Sequence, residues 1–398
     1  MKNKKIDIVI LVGGFGTRIK KYLKGKPKPI AKIRKYIFLD LLIRNFCRYD
    51  INKVYILAGY KGEMIKKKYH DTKINLVDLE CIVEKKPLGT GGCLAQLKSK
   101  IKNDFIVVNG DTYFDLDLKK IINYPIKKNQ ILMSLVKNKN YKSNSKLINL
   151  NLKKDFVYND EKSDLINGGI YKFNKYFLKN LKKANISLEK QILPKLIENK
   201  NVKGIFFNNY FLDIGTPKNY FEAQKKLIKY MTKPAVFLDR DQTIIKDNGY
   251  THKIKDLKFL KSVINGLKIL SIKNCYIFIV TNQAGIGKGI FTLHQFFKFQ
   301  KEIKKRLLKK NIFIHDVEFS PYHIDAKIKK YRKNSLYRKP GNLMIEKIKK
   351  NWPINLRKSF MIGDRKTDEI CAKKSNLRFF YTKNDFEKVV KKKINNYL

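Results

Sequence analysis

The sequence predicts an α/β protein of two domains, each a mostly parallel sheet flanked by helices. Three observations predict it. Short β-branched runs alternate with helical patterns along the whole chain, the clearest strands end in polar residues, and a proline breaks the alternation past the middle. With 398 residues, 43% of them hydrophobic, the chain can bury one large core or two ordinary ones.

Taken in order, "IDIVILV" (6–12) is near-continuously apolar, as a buried parallel strand requires, and a Gly-rich loop follows it. "FLDLLIRNFCRY" (38–49) carries helical periodicity. "KVYILAG" (53–59), "DFIVVNG" (104–110) and "INGGIYKF" (166–173) are further strands. A second helix, "YFEAQKKLIKYM" (220–231), is stopped by "MTKPA" (231–235), because Pro234 cannot continue it. This puts the junction between a domain of residues 1–230 and one of residues 231–398. Beyond it, "AVFLD" (235–239), "YIFIVTN" (276–282) and "SFMIGD" (359–364) are strands again. Each of the three ends in a polar residue at its C-terminal tip, where open α/β sheets place their sites.

No run of about 18 apolar residues occurs, so no membrane span is expected. The opening apolar run is short and ends in Gly-Gly without a small-residue cleavage site, so no signal peptide is expected either. The five cysteines are scattered and form no C-x-x-C pair, which fits a reducing cytoplasm. A net charge of +54 suggests nucleic acid at first sight. Yet every successive block of fifty residues is basic and none dominates, whereas a nucleic-acid binder concentrates its charge on one face or tail. Solvated lysines spread over the surface, attractive to small polyanions such as nucleotides and sugar phosphates, are the expectation. No specific nucleic-acid partner is expected.

"LVGGFGTRI" follows the first strand directly. Gly13, Gly14 and Gly16 let the backbone approach a phosphate chain, and Thr17 and Arg18 stand where a helix could begin. The spacing fits neither a dinucleotide fingerprint nor a Walker loop. "GKPKPIAKI" (25–33) mounts Lys28 between two prolines, a rigid support for a phosphate-reaching cation. "VVNGDTYFD" puts Asp111 at a strand tip, and "FLDIGTP" puts Asp213 before a Gly-Thr-Pro turn. Two such carboxylates can hold Mg²⁺ against a triphosphate.

These residues, in this order, resemble the sugar-1-phosphate nucleotidyltransferases, whose hallmark is a G-G-x-G-T-R-L loop followed by P-K-P. "EKKPLGTGG" (84–92) matches the family segment around the nucleobase and sugar, which implies roles for Gly89, Thr90 and Gly91. "NGGIYKF" matches its sugar-contacting element, through Asn167 and Gly169, and "SLEKQILPKL" (187–196) places Glu189 toward the sugar. The resemblance implies a nucleotide-diphospho-sugar transferase-like fold and attack of a sugar phosphate on the nucleotide α-phosphorus with release of pyrophosphate. Lys28 and Arg18 would offset the charge on the phosphates, and Asp111 and Asp213 would hold Mg²⁺.

In the second half, Asp239 and Asp241 in "AVFLDRDQTII" are spaced i, i+2 and can address the same side. Two carboxylates so placed suggest a nucleophile and an acid/base sharing Mg²⁺. Three signals follow in order: Thr281 and Asn282 with a Gly-rich loop in "IVTNQAGIGKG" (279–289), Lys339 in "YRKPGNL" (337–343), and Asp364 and Asp368 in "FMIGDRKTDEI" (360–370). This set resembles the haloacid-dehalogenase-like phosphatases, nearest the histidinol-phosphate and heptose-bisphosphate phosphatase branch. The resemblance implies that Asp239 forms an aspartyl-phosphate, Asp241 exchanges protons, and Thr281 and Lys339 bind the phosphoryl group. It further implies that Asp239, Asp364, Asp368 and the Asp241 carbonyl surround Mg²⁺, and that Arg338 meets the substrate's other phosphate. About 40 residues separate the first two motifs, too few for a folded cap domain.

Two departures stand out. Many members of this branch carry a structural zinc, but here "SPYHID" and "SLYRKP" put Ser320, Tyr322, Ser335 and Tyr337 where its ligands would be. His323 alone cannot hold the metal, so a zinc-free loop closed by hydrogen bonds and aromatic packing is expected. Gln242 takes the place of the usual Gly; if the turn needs a positive φ, the cost is about 1–2 kcal/mol.

Phosphatase and nucleotidyltransferase together imply consecutive steps of nucleotide-activated D-glycero-D-manno-heptose synthesis. The 7-phosphate would be removed from the 1,7-bisphosphate, and the 1-phosphate would then be joined to a nucleotide, GTP by pathway analogy. Two other readings compete: a mannose- or glucose-type transferase fused to a phosphatase for another monoester, and a basic nucleic-acid-associated protein with vestigial domains. Small-molecule substrates, a cytoplasmic setting and a possible homo-oligomer complete the expectation.

Overall fold

The computed structural model describes residues 6–137, 149–382 and 385–394. It divides into two compact units, one running up to Leu227 without Cys47–Asp50, the other made of Ile228 onward together with that short segment. Among the described residues no helix is long and apolar enough to cross a membrane.

The first unit is built on a sheet that has ten strands among the described residues. Its centre is parallel: Val77–Val83, Ile51–Ala58, Ile6–Val12 and Phe105–Asn109 lie side by side in that order. Every residue of Ile6–Val12 is buried, including Asp7, as expected of a strand covered on both faces. Leu165–Phe173 then runs antiparallel to Phe105–Asn109 and to Ile131–Lys137. The helix Phe38–Cys47 buries Leu39, Leu42, Ile43 and Phe46, the i, i+3, i+4, i+7 face that its periodicity predicts. One core cluster gathers Val9, Val107, Met133, Tyr171 and Phe173, with the Phe105 and Phe173 rings stacked at 5.6 Å.

The second unit is a five-stranded, wholly parallel sheet in the order Asp316–Ser320, Tyr276–Asn282, Ala235–Leu238, Phe360–Gly363, Arg378–Tyr381. Its central strand, Ala235–Leu238, is completely shielded from solvent. The helix Val263–Ile272 makes the crossover to Tyr276–Asn282. Leu293–Leu308 makes the next crossover and starts with a capping box, Thr292 Oγ1 accepting from Gln295 N and Gln295 Oε1 from Thr292 N.

His315 enters this core as a neutral base. Its Nδ1 accepts from Ile277 N at 3.0 Å, and its ring meets the edges of Tyr276 and Trp352. Burial drives the imidazole well below its ordinary pKa. The unfolded chain gains a proton below about pH 6.5 that the fold refuses, so stability falls with pH there by at most about 1.4 kcal/mol per unit. Between pH 7.5 and 5 the native protein therefore loses stability relative to His315→Phe with a slope of up to about one proton, read as the difference between their urea midpoints.

Candidate active sites

In the first unit, the loop after Ile6–Val12 turns back at Gly16, whose φ of 62° places it in the left-handed region. A short 3₁₀ turn, Thr17–Tyr22, follows in place of the helix that the sequence suggests at Arg18. Its lack of an acidic first turn and of a side-chain cap leaves little to extend it. Pro27 and Pro29 hold Lys28, which is 8% exposed.

Asp111 and Asp213 are brought together by a two-stranded ribbon, Thr112–Phe114 against Phe211–Asp213, in which Asp213 pairs with Thr112. Lys28 Nζ donates to Asp111 Oδ2 at 2.6 Å. Asp213 Oδ1 accepts the Gly215 N–H, and a Cβ on Gly215 would lie 2.8 Å from that oxygen and 3.3 Å from Lys28 Nζ. The lysine and both carboxylates therefore converge. Burial and the neighbouring Asp111 push the Asp213 carboxyl up to about 6, against the pull of Lys28. Burial works the same way on Asp111, but the Lys28 ammonium overrides it and holds that carboxyl below its usual range. A close pair of carboxylates with one of them resisting ionisation is a donor set that suits a divalent cation.

A cleft of about 250 Å³ opens here, lined by Gly13, Gly14, Gly16, Thr17, Arg18, Lys28, Asp111, Thr90 and Glu189. Thr90 Oγ1 donates to Glu189 Oε2 at 2.6 Å and accepts from Leu188 N. Gly89 and Gly91 serve packing: Gly89 has a φ of 67°, and its Cβ would fall 2.5 Å from the Ile186 carbonyl oxygen. Gly91 N donates to that same oxygen. Asn167 and Gly169 are not among the cleft residues, and Asn167 uses its amide on Tyr171 and on Gly169 N. Asn109, which the sequence reading missed, lines the cleft with a buried side-chain oxygen that lacks a partner. Its position just before Gly110-Asp111 at a strand tip was the available signal.

In the second unit a cavity of about 520 Å³ lies over the C-terminal ends of the strands. Asp239 follows Ala235–Leu238, Thr281 belongs to Tyr276–Asn282, and Asp364 follows Phe360–Gly363, so adjacent parallel strands deliver all three. Lys339 is 3% exposed, and its Nζ lies 2.6 Å from both Asp239 Oδ1 and Asp368 Oδ1. Burial, Asp368 and Asp241 push the Asp239 carboxyl up to about 7, while Lys339 opposes them. Oxygens of Asp239, Asp364 and Asp368 lie within 4.8 Å of one another, and Asp364 Oδ1 is buried without a partner. Three converging carboxylates with an orphaned oxygen fit Mg²⁺. The Asp241 carboxylate stands apart from this cluster, facing Arg240 and Gln283.

Asn282 lines the cavity at the tip of its strand. Its Oδ1 accepts from Lys339 N and its Nδ2 donates to Lys339 O, both at 3.0 Å, so its amide fixes the lysine backbone. Arg338 lines the cavity and donates to Tyr322 O, with Arg365 and His323 on the same rim. In the segment that holds Tyr322 and Tyr337, Tyr337 Oη donates to Glu318, which also takes the Lys347 ammonium at 2.9 Å. Tyr322 meets Tyr331 edge-on at 6.0 Å, and Lys333 Nζ sits 4.5 Å over the Tyr322 ring.

Gln242 has a φ of 57°, and its Nε2 donates to Asp247 O at 2.6 Å. The strained turn is therefore kept, with the side chain bracing it. Gln242→Gly is expected to raise stability by up to about 1 kcal/mol, and Gln242→Val to lower it by about 1 kcal/mol or more. Thermal melts of the three proteins check this ordering.

Residues 7–230 match the nucleotidyl transferase family model, and residues 234–393 match that of the polynucleotide kinase 3 phosphatases. The first half is 32% identical over 221 residues to the D-glycero-alpha-D-manno-heptose 1-phosphate guanylyltransferase of Campylobacter jejuni, covering 54% of this chain and 97% of that protein. The second half resembles two D-glycero-beta-D-manno-heptose-1,7-bisphosphate 7-phosphatases. The one from Rhodopseudomonas palustris is 32% identical, over 37% of this chain and 82% of its own. The one from Photorhabdus laumondii is 37% identical, over 35% of this chain and 74% of its own.

Proposed function

We infer the function of a chain that belongs to the nucleotidyl transferase family in residues 7–230 and to the haloacid-dehalogenase-like heptose-bisphosphate phosphatases in residues 234–393. It is a bifunctional enzyme of heptose activation, a phosphomonoesterase and a nucleotidyltransferase in one polypeptide. The observation that carries this is that relatives of the two halves, matched separately, are named for successive phosphates of the same sugar.

In the second domain, taken as residues 231–398, Asp239 forms an Oδ–P bond as the bond from phosphorus to the sugar's 7-oxygen breaks. Asp241 gives that oxygen its proton. Water then attacks phosphorus, the Asp239–P bond breaks, and Asp241 takes the proton back. Lys339 and the Thr281 hydroxyl hold the phosphoryl oxygens, and Arg338 faces the other phosphate. In the first domain, residues 1–230, a sugar 1-phosphate oxygen attacks the nucleotide α-phosphorus and pyrophosphate leaves. Lys28 and Arg18 offset the charge, and Glu189 with Thr90 contacts the sugar side of the cleft. Mg²⁺, held by Asp239, Asp364 and the Asp241 carbonyl with Asp368 beside them, and by Asp111 and Asp213, would supply further neutralisation of phosphoryl charge at each site. The Glu318–Tyr337–Lys347 contacts support a phosphatase loop that needs no zinc. A cytoplasmic setting and GTP as nucleotide complete the reading.

Hydrolysis at position 7 leaves the anomeric centre untouched, so the anomer that the transferase uses must already be in the bisphosphate. The transferase relative is named for the alpha anomer and the phosphatase relatives for the beta. We therefore assign the α-1,7-bisphosphate to this chain. Incubation with each anomer, GTP and Mg²⁺, followed by mass spectrometry, tests it: GDP-heptose forms from the alpha anomer alone. Nucleotide-sugar from the beta anomer alone, or from neither, refutes the assignment.

A further inference from the structure

The phosphatase cavity contains two buried side chains whose polar groups converge on Asp241. Arg240 is 1% exposed; its Nε donates to Asp241 Oδ1 at 2.8 Å, and its Nη2 lies 2.7 Å from the same oxygen. The guanidinium is itself fixed, Nη2 reaching Thr251 O and the cation sitting 5.3 Å over the Phe299 ring. Gln283 is 3% exposed, and its Nε2 donates to Asp241 Oδ2 and to Thr281 Oγ1, each at 2.8 Å. Its backbone N–H is anchored to Ser320 O on the neighbouring strand.

Resting on the phosphatase reading above, we propose that Arg240 and Gln283 are positioning residues for proton transfer, and that Asp241 exchanges its proton through Oδ2. Oδ1 already accepts two N–H groups from a cation that never gives up its charge, so a proton is least welcome there. Oδ2 accepts from neutral groups, the Gln283 amide and, at a longer 3.5 Å, the Thr281 hydroxyl, and remains available to the leaving oxygen. The same amide bears on the Thr281 hydroxyl: its oxygen accepts from Gln283, and its hydrogen, which makes a long 3.5 Å contact with Asp241 Oδ2, is free to exchange that contact for a phosphoryl oxygen. Gln283 thus ties the residue that moves the proton to one that holds the phosphate. A carboxylate on a turn next to the strained Gln242 would otherwise have to be fixed by the substrate.

Such a role has a signature that loss of folding lacks. Proton donation matters for a basic alkoxide leaving group and hardly matters for nitrophenolate. The full chain and its Gln283→Met, Gln283→Ala, Arg240→Met and Asp241→Asn variants would be assayed on 4-nitrophenyl phosphate, phenyl phosphate and an alkyl monoester, reading kcat/KM and the melting temperature of each. The positioning variants are expected to lose about 10–100-fold on the alkyl ester and less than about threefold on the nitrophenyl ester. Asp241→Asn should show the same slope, and adding Gln283→Met to it should cause little further loss. Equal losses across the series, or none, overturn the proposal. If the native protein cleaves no monoester, or Asp239→Asn still releases phosphate, the phosphatase reading itself falls and the positioning roles with it.

Discussion

Asp239→Asn is expected to abolish phosphate release, by at least about 10⁴-fold in kcat, while nucleotidyl transfer from added heptose 1-phosphate continues at the native rate. The substitution keeps the shape of a side chain that lies on the shielded central strand's tip, so the parallel sheet should be undisturbed. What it removes is the oxygen nucleophile and the charge to which Lys339 Nζ is paired at 2.6 Å. The lysine keeps Asp368 as a partner, which limits the loss of stability. Phosphate release and nucleotide-sugar formation, measured on one preparation, separate the two steps. Parallel loss of both would mean that one domain does not act alone as described.

Lys28→Met has the complementary expectation: nucleotidyl transfer falls about 10²–10³-fold and phosphate release is unchanged. Met preserves the apolar stem between Pro27 and Pro29 and deletes the ammonium that faces Asp111 and Asp213. Two carboxylates are then left close together without their fixed cation, and the developing charge on the phosphates loses its donor. Lys28→Arg should recover little, because a planar guanidinium cannot replace a point charge confined between two prolines. Pyrophosphate release checks the effect, and a loss below about tenfold would move this lysine out of the reacting centre.

Much of this was legible in the chain itself because both sites use local chemistry. Strands such as Ile6–Val12 and Tyr276–Asn282 are buried almost throughout and show themselves as near-continuous apolar runs. Asp239, Thr281 and Asp364 announce themselves because parallel sheets put functional residues at strand tips. Gln242 was recognisable as a strained turn residue, since only glycine takes a positive φ freely.

Other residues could be placed only by the fold. Asn282 lines the phosphatase cavity, and only the fold shows that its amide also ties down the Lys339 backbone 57 positions later. Asn167 bonds Tyr171 and is not among the residues that line the first cleft. Arg240 and Gln283 carry no distinctive spacing, and their meaning appears only when two strands bring them to the two oxygens of one carboxylate. The sequence by itself determined the two α/β domains, the order of the candidate catalytic carboxylates and lysines, and the kinds of chemistry they permit. Only the tertiary structure decided which polar groups touch which. Hydrophobic periodicity and strand-tip placement are properties of a local stretch, whereas a hydrogen-bond partner is chosen by long-range packing.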